Sequence, residues 1–486
     1  MPNGSRLRLT CILASQQYHL VFSYMKYTLD QFHHIFFIGV AGAGMSALAQ
    51  YLAGSGKQVS GSDRYFVPGL ENETRDKLEA AGIRCFEQNG SGISPETDLV
   101  VVSTAVESTV PEVQIAMQQS IPILKRSELL AIIAESRKTV AIGGTSGKST
   151  TTAMLFHILT VAGKDPSIIS GAGLTSLIRQ GLIGNAHVGK GDWLLIEADE
   201  SDGSIVQYHP EIGVLLNIDK DHQELEELNH IFSQFRDHCK DRFIVNRTHP
   251  LAANLSKNIV HDFSADEAID AGYKSAGFEQ AGDEIRFTVN GHAFLLHTVG
   301  RHNMENALAA AAVAHQLGVP LEISSKALSG YEGIYRRHQV LGNANGLIVI
   351  DDYAHNPVKC ASSIQACQPL APKLVAWFQP HGYGPTRFLK DDFIHEFAKA
   401  LRPQDEIWMS EIYYAGGTAT KDISSADLVS GIRDLGRQAF FVADRQEWIQ
   451  AVKPHIEPPC VLLLMGARDP GLESFGQEVW KSLSGA

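Results

Sequence analysis

Cysteine is scarce: six in 486 residues (Cys11, Cys85, Cys239, Cys360, Cys367 and Cys460), none in C-x-x-C spacing. That excludes a disulfide framework and a cysteine zinc site, and it reads as the reduced thiols of a cytoplasmic protein. No apolar run approaches the ~20 residues of a membrane span, so no membrane partner is expected. Basic residues are outnumbered, 41 Lys and Arg against 54 Asp and Glu, for a net charge of −13. No basic face is left to neutralise a phosphate backbone, so no nucleic-acid partner is expected either. Internal repeats of solenoid length and low-complexity tracts are absent.

What remains is an ordinary globular composition, 44% hydrophobic and 20% charged. A chain of this length exceeds what one core organises, so two or three domains are expected. Arg6 and Arg8 precede the short apolar run Leu9–Ala14, but Gln16, Gln17 and His19 break any signal-peptide pattern. Met25 is read as the physiological initiator, and residues 1–27 as an extension expected to be loosely attached or disordered.

From there strands alternate with helices. His34–Ile38, a strand near Val59, Leu99–Val102 and Ile121–Leu124 form a first block. Val140–Ile142, Trp193–Ile196 and Ile212–Leu216 form a second, closed by an alanine-rich helix through Ala314. Leu347–Ile350, Leu374–Phe378 and Val461–Leu464 form a third. This is the pattern of parallel sheets. The fold class is α/β in three domains: a Rossmann-like domain over 28–136, a central P-loop-type ATPase domain over 137–331, and a Rossmann-like domain over 332–486. In each, glycines and polar residues follow the strands' C-terminal ends, where open α/β sheets bind ligands.

The sharpest motif is Gly143-Gly-Thr-Ser-Gly-Lys-Ser-Thr150, between a strand and a helix that runs through Leu159. Backbone N–H groups of Gly144, Thr145, Ser146 and Gly147 with the helix dipole face an anion, Lys148 adds a point charge, and Ser149 can hold Mg²⁺. A full Walker A would need glycine at position 142, which is Ile142. The reading is a nucleoside triphosphate, against a chance glycine turn with a solvated lysine.

Other constellations carry alternatives. Glu197, ending a buried strand, can reach the triphosphate's metal; with Asp199, Ser201 and Asp202 it can equally be a helix-capping cluster. His222 is a ligand or a packed residue. Asp351 and Asp352 cap a helix or take a ribose hydroxyl. Arg336 and Arg337 are a solvated pair or a clamp on a transferring phosphoryl group. Gly39, Gly42 and Gly44 are spaced G-x-x-G-x-G, which suits a nucleotide diphosphate on a helix N-terminus more than a nicotinamide dinucleotide.

Taken in order, Gly39-Val-Ala-Gly-Ala-Gly-Met-Ser, Gly144-Thr-Ser-Gly-Lys-Ser-Thr-Thr, Glu197-Ala-Asp-Glu-Ser-Asp and Asn217-Ile-Asp-Lys-Asp-His continue into four more motifs. These are Gly300-Arg-His-Asn-Met-Glu-Asn, Arg336-Arg337, Asp351-Asp-Tyr-Ala-His-Asn-Pro and Phe378-Gln-Pro-His. From about His33 onward the chain resembles the Mur ligases of peptidoglycan synthesis, and within them the branch that adds L-alanine to UDP-N-acetylmuramate. The resemblance implies an ATP- and Mg²⁺-dependent ligase that forms an amide through an acyl phosphate shielded by domain closure. It implies ATP contacts from the Gly144–Thr150 loop, including Thr150, and from His302, Asn303, Asn306, Arg337 and Asp351. Metal ligands would be Ser149, Glu197 and His222, with Lys148, Glu197, His222 and Arg337 carrying the chemistry. The UDP-sugar would meet Gly42, Ala43, Gly44, Met45, Ser46, Ser62, Asp63, Ser103 and Thr104. The acceptor amine would meet Tyr353, His355, His381 and Arg387. Partners are then UDP-N-acetylmuramate and an amino acid or short peptide, for a monomer or weak homodimer.

Two departures bear on the acceptor. Gln379-Pro-His-Gly382-Tyr-Gly-Pro385-Thr-Arg387 has glycine and proline where the family has arginines, and Met465-Gly-Ala-Arg468-Asp replaces a Gly-Ala-Gly ending. Either Arg387 or another basic residue holds the acceptor's carboxylate, or the acceptor is a murein tripeptide or another amino acid. Should the loop select the acceptor, arginine at position 382 is expected to improve use of a small amino acid. A decayed, non-catalytic nucleotide-binding protein is the remaining alternative.

Overall fold

The computed structural model describes residues 27–484 apart from 105, 202, 220–223 and 415–419. The expected extension with Met25, and His222 among the candidate ligands, lie outside the described residues. Compactness divides the chain into two units. One runs to Ala276 and adds Val289–His292 and Glu305–Leu328; the other holds Gly277–Thr288, Ala293–Met304 and everything from Ser329.

The first sheet contains β1 (His34–Ile38), β2 (Gln58–Asp63), β3 (Arg84–Glu87), β4 (Leu99–Val102) and β5 (Ile123–Lys125), in the order β3-β2-β1-β4-β5. All its pairings are parallel. The expected strand over Ile121–Leu124 starts later because Pro122 has no N–H to give; only its carbonyl joins the sheet, accepting from Val100 N at 2.9 Å. Helix α1 (Ala43–Gly54) follows β1, and α2 (Arg126–Glu135) follows β5.

The second sheet contains β6 (Lys138–Gly143), β7 (Ser167–Ile169), β8 (Ala186–His187), β9 (Trp193–Glu197), β10 (Ile212–Leu215) and β11 (Arg242–Val245), ordered β11-β10-β6-β9-β7-β8. Only the short β8 is antiparallel to its neighbour. Helix α3 (Lys148–Val161) follows β6. Leu129 to Ala134 of α2 are all buried, as in a helix apolar on every side. They share one core with Ile35, Phe37 and Val101 of the first sheet and Ala141, Ile196 and Leu215 of the second. The first two sheets are thereby cemented into one unit.

A small sheet, β12 (Phe263–Ser264), β13 (Tyr273–Ala281), β14 (Glu284–Val289) and β15 (His292–His297), precedes helix α4 (Arg301–Gln316). None of its strands is among those expected from the sequence. β14 buries every other residue, so its charged face hid the strand.

The last sheet contains β16 (Gln339–Ala344), β17 (Leu347–Asp352), β18 (Lys373–Gln379), β19 (Glu406–Met409), β20 (Gln438–Phe441) and β21 (Cys460–Gly466). Their order is β16-β17-β21-β18-β19-β20, with β16 alone antiparallel. Leu374, Ala376 and Phe378 of β18 enter one core, with Leu463 and Met465 of β21. Val375 and Trp377 enter the other, with Leu462 and Leu464. Both faces are covered, which is why these strands read as continuous apolar runs. Helix α5 (Pro357–Cys367) follows β17. The five described cysteines are free. Among the described residues no helix is long and apolar enough to cross a membrane.

Candidate functional site

The phosphate loop leaves β6 through Gly144 (φ +136°) and enters α3 through Gly147 (φ +84°). A Cβ on Gly147 would collide with the Asn306 amide oxygen, so only glycine fits there. Asn217, just past β10, holds the loop: its Oδ1 accepts from Ser146 N at 2.8 Å and Thr145 Oγ1 at 2.9 Å. Its Nδ2 donates to the Ser146 carbonyl at 3.1 Å. Thr145 is thus buried in loop support, while Asn306 Oδ1 accepts from Thr151 Oγ1 at 3.2 Å. No side chain caps α3, so the first-turn N–H groups, to Thr150, are presented to an anion.

Lys148 Nζ donates to the Gly144 carbonyl and to Glu200 Oε2, both at 2.7 Å, with Asp199 Oδ1 at 3.8 Å. Burial works against the Asp199 carboxylate, yet Lys148 and the Ser201 hydrogen bonds hold its pKa below the usual value. Ser149 Oγ donates to Glu197 Oε2 at 2.7 Å. The other Glu197 oxygen accepts from Ser170 Oγ at 2.6 Å and Gly171 N at 2.8 Å. A serine hydroxyl beside an oriented carboxylate is a hard-oxygen donor set of the kind Mg²⁺ takes together with phosphates and water. No cluster of three or more His, Cys, Asp or Glu suited to a metal occurs among the described residues.

Around α1, Gly42 caps the helix with no side-chain hydrogen bond, and Gly42 and Ala43 are exposed. Gly44 is close-packed by Arg126, whose Cδ would lie 3.0 Å from an added Cβ. Met45 and Ser46 face the interior, and the Ser46 N–H already donates to the Gly42 carbonyl at 2.8 Å. Asp63 is buried and braces the glycine turn, accepting from Ala41 N at 3.0 Å, and the Ser62 carbonyl accepts from Gly39 N at 2.7 Å. The Ser62 hydroxyl is buried with no partner among the described residues. Ser103 and Thr104 follow β4, half-buried and exposed. Asn185, beyond the sequence reading, joins the two domains: its Nδ2 donates to the Ala43 carbonyl at 2.7 Å and Ser46 Oγ at 2.9 Å.

In the second unit, Arg336 is a buried partner of Asp351, not a solvated cation. Its Nε and Nη2 donate to the two Asp351 oxygens at 2.8 and 3.1 Å, and Nη2 also donates to the Gly466 carbonyl at 3.0 Å. Both Asp351 oxygens are therefore engaged. Asp352 accepts from His338 N at 2.8 Å and Ala354 N at 2.7 Å. Arg337 is exposed, with its guanidinium carbon 5.6 Å from the Tyr353 ring centroid. His302 packs on His338, ring centroids 5.2 Å apart, and Asn303 Nδ2 donates to Thr298 Oγ1 and the Val299 carbonyl at 2.9 and 2.8 Å.

Tyr353, His355 and His381 come together, with successive ring centroids 5.5 Å apart. The His355 Nδ1–H donates to the Tyr353 carbonyl at 2.9 Å, so Nε2 is the acceptor of the neutral ring. Burial pushes the His355 pKa down. Burial, then the charges of His355 and Arg468, take His381 down to about 4. Both rings are neutral at pH 7. Arg387 is held apart from them: it pairs with Asp422 and donates to the Thr420 carbonyl at 3.1 Å.

Glu200, Asn217 and Asn185 went unassigned in the sequence reading. Glu200 and Asn217 stood inside quoted motifs, but their partners depend on which strands are neighbours.

A phosphate loop with an adjacent hydroxyl–carboxylate pair, set in the middle of three α/β domains, defines a multidomain enzyme that uses a nucleoside triphosphate. The chain belongs to the Mur ligase family. Residues 34–138 match the Mur ligase catalytic-domain model, 142–314 the Mur ligase middle domain, and 336–468 the Mur ligase glutamate ligase domain. A UDP-N-acetylmuramate–L-alanine ligase of Anaeromyxobacter sp. (strain Fw109-5) is 34% identical over 448 residues, 90% of this chain and 95% of that one. The crystal structure of a UDP-N-acetylmuramate–alanine ligase from Thermotoga maritima superposes with a TM-score of 0.74 at 26% identity, covering 92% of this chain and 98% of that one. A murein peptide ligase from Psychrobacter arcticus shares the fold, with a TM-score of 0.64 at 21% identity over 93% and 99% of the two chains. The chain is an ATP-dependent, amide-bond-forming ligase.

Proposed function

We propose that the chain joins the amine of L-alanine to the carboxylate of UDP-N-acetylmuramate, cleaving ATP to ADP and phosphate, as a cytoplasmic step of peptidoglycan precursor synthesis. The observation that carries it is the uncapped α3 N-terminus with Lys148 and the 2.7 Å Ser149–Glu197 pair beside it. The domain limits 28–136, 137–331 and 332–486 belong to the same proposal, as does a monomer or weak homodimer.

A carboxylate is a poor electrophile. The muramoyl carboxylate attacks the γ-phosphorus, ADP leaves, and the resulting acyl phosphate is attacked by the neutral amine; phosphate leaves as the amide forms. The loop N–H groups and Lys148 orient and neutralise the triphosphate, for which Lys148 exchanges Glu200 for phosphate oxygens. Ser149 and Glu197 would hold Mg²⁺, which neutralises phosphate charge when bound. Arg337 and Asp351 serve the nucleotide from the last domain, His302, Asn303 and Asn306 from α4. The α1 N-terminus receives the UDP diphosphate, with Ser62, Asp63, Ser103 and Thr104 around it. Tyr353, His355 and His381 line the amine's path, and the neutral His355 Nε2 is free to accept its proton.

Phosphate release from ATP and Mg²⁺ with UDP-N-acetylmuramate is the direct test, run with L-alanine, L-serine, glycine and a murein tripeptide. Release stimulated by L-alanine above the others is the expected result. Stimulation by the tripeptide alone would move the assignment to a peptide ligase, and none across the panel would end it.

A further inference from the structure

An α-amino-acid acceptor brings a carboxylate as well as an amine, and the carboxylate needs a cation beside Tyr353, His355 and His381. The described arginines around that group are mostly committed. Arg336 is spent on Asp351, Arg387 on Asp422, and Arg445 on Asp469 and Gln379. Arg337 lies on the Tyr353 ring.

Arg468 differs. It is exposed, and it makes no hydrogen bond or ion pair to any described residue. Its φ of +66° lies in the left-handed region that glycine adopts at no steric cost. A non-glycine residue held there carries backbone strain, as Arg336 and His338 of the same domain also do. The turn that holds it is pinned on both sides: the Gly466 carbonyl accepts from Arg336, and Asp469 is buried, accepting from Gly471 N at 2.8 Å.

Strand register places the turn of Arg468 relative to those of the histidines. β21 lies between β17 and β18, parallel to both. Met465 is level with Asp352, so Arg468 and His355 each follow a paired residue by three positions. Gly466 is level with Gln379, so Arg468 and His381 each follow a paired residue by two. The turn that carries Arg468 thus follows the central strand, between the strands that lead to the two histidines. Its charge is felt at both rings, at His355 after those of Lys359 and Arg337.

We infer that Arg468 anchors the α-carboxylate of the acceptor, orienting its amine toward His355 and His381. The assignment rests on the proposed α-amino-acid acceptor. A guanidinium offers that carboxylate two parallel hydrogen bonds, and an uncompensated cation beside neutral imidazoles selects an anion.

The test uses the whole enzyme with Arg468→Gly, which relieves the left-handed backbone, and Arg468→Lys, which keeps the charge without the fork. Wild-type phosphate release with L-alanine is measured first; its absence overturns the acceptor reading and this assignment together. Given that release, Arg468→Gly should keep the wild-type melting temperature or exceed it. Its KM for L-alanine should rise about 10- to 100-fold, as expected for loss of a charge-assisted pair. KM for ATP and for UDP-N-acetylmuramate should change less than about twofold. Preference for L-alanine over L-alaninamide should collapse in Arg468→Gly and partly survive in Arg468→Lys. An unchanged KM for L-alanine, an unchanged preference over the amide, or a rise in KM for ATP instead would overturn the role of Arg468 while leaving the acceptor reading intact.

Discussion

The phosphate loop and the acceptor group sit in equivalent places, just past the C-terminal ends of parallel strands, yet they handle charge in opposite ways. At the loop, Lys148 is met by Glu200, Asp199 and the Gly144 carbonyl, so the cation is compensated before any ligand arrives. At the acceptor group the two histidines are neutral and Arg468 has no carboxylate partner among the described residues. A compensated site holds its geometry in waiting and exchanges one anion for another. An uncompensated one is a demand for an anion, and it selects among acceptors.

The comparison breaks most sharply at Lys148. Lys148→Ala is expected to lower kcat about a thousandfold or more, as loss of a preorganised charge on a transferring phosphoryl group does, with far-ultraviolet dichroism unchanged. A near-native rate would show the compensated cation to be structural. Arg336 tests whether compensation in the last domain is structural instead. Arg336→Leu leaves Asp351 charged and buried, which costs about 3 kcal/mol or more in denaturant unfolding of that domain, and adding Asp351→Asn should return much of it. If Arg336→Leu unfolds like the wild type but loses turnover, Arg336 acts in the reaction.

The loop was legible in the sequence because strand, glycines and helix N-terminus are contiguous from Gly143 to Thr150. Glu197 was legible as an acid at a strand end, though its pairing with Ser149 requires β9 to lie beside β6. Asn217 needed β10 on the other side of β6, which no local pattern gives. The acceptor group was harder still. β21, last in the chain, inserts between β17 and β18, so the charge of Arg468 reaches His381 from 87 residues further along the sequence. Arg387 looked better placed because it is near His381 along the chain; its helix turns it onto Asp422. The longer runs apolar on both faces, such as β1, β9, β18 and β21, were legible, whereas the short buried β7, β11 and β19 and the half-solvated β13 to β15 were not.

The acceptor group's neutrality also sharpens the comparison through pH. A histidine near pKa 4 in the folded protein and near 6.5 unfolded binds its proton in the unfolded state first. Its contribution is therefore fully present above pH 6.5 and is lost as pH falls toward 4, by up to about 3 kcal/mol. His381→Gln should flatten the stability curve between those limits. A curve as steep as the wild type's would place the acid lability elsewhere.

The smallest effect separates an arginine of the right type from one in the right place. Gly382 begins the loop after His381 with φ +74°, and an added Cβ would come 3.3 Å from Pro385 Cδ. With ψ +123° this lies outside the left-handed helical basin, so Gly382→Arg costs about 1–3 kcal/mol of backbone strain, read as a lower unfolding midpoint. With Arg468 present, that new charge should leave KM for L-alanine unchanged within about twofold. With Arg468→Gly it should recover part of the lost affinity if the two positions reach the same carboxylate. Improvement in the wild-type background would make the loop, and not the end of β21, the selector of the acceptor, since a carboxylate already paired bidentately has little left to gain from a second guanidinium.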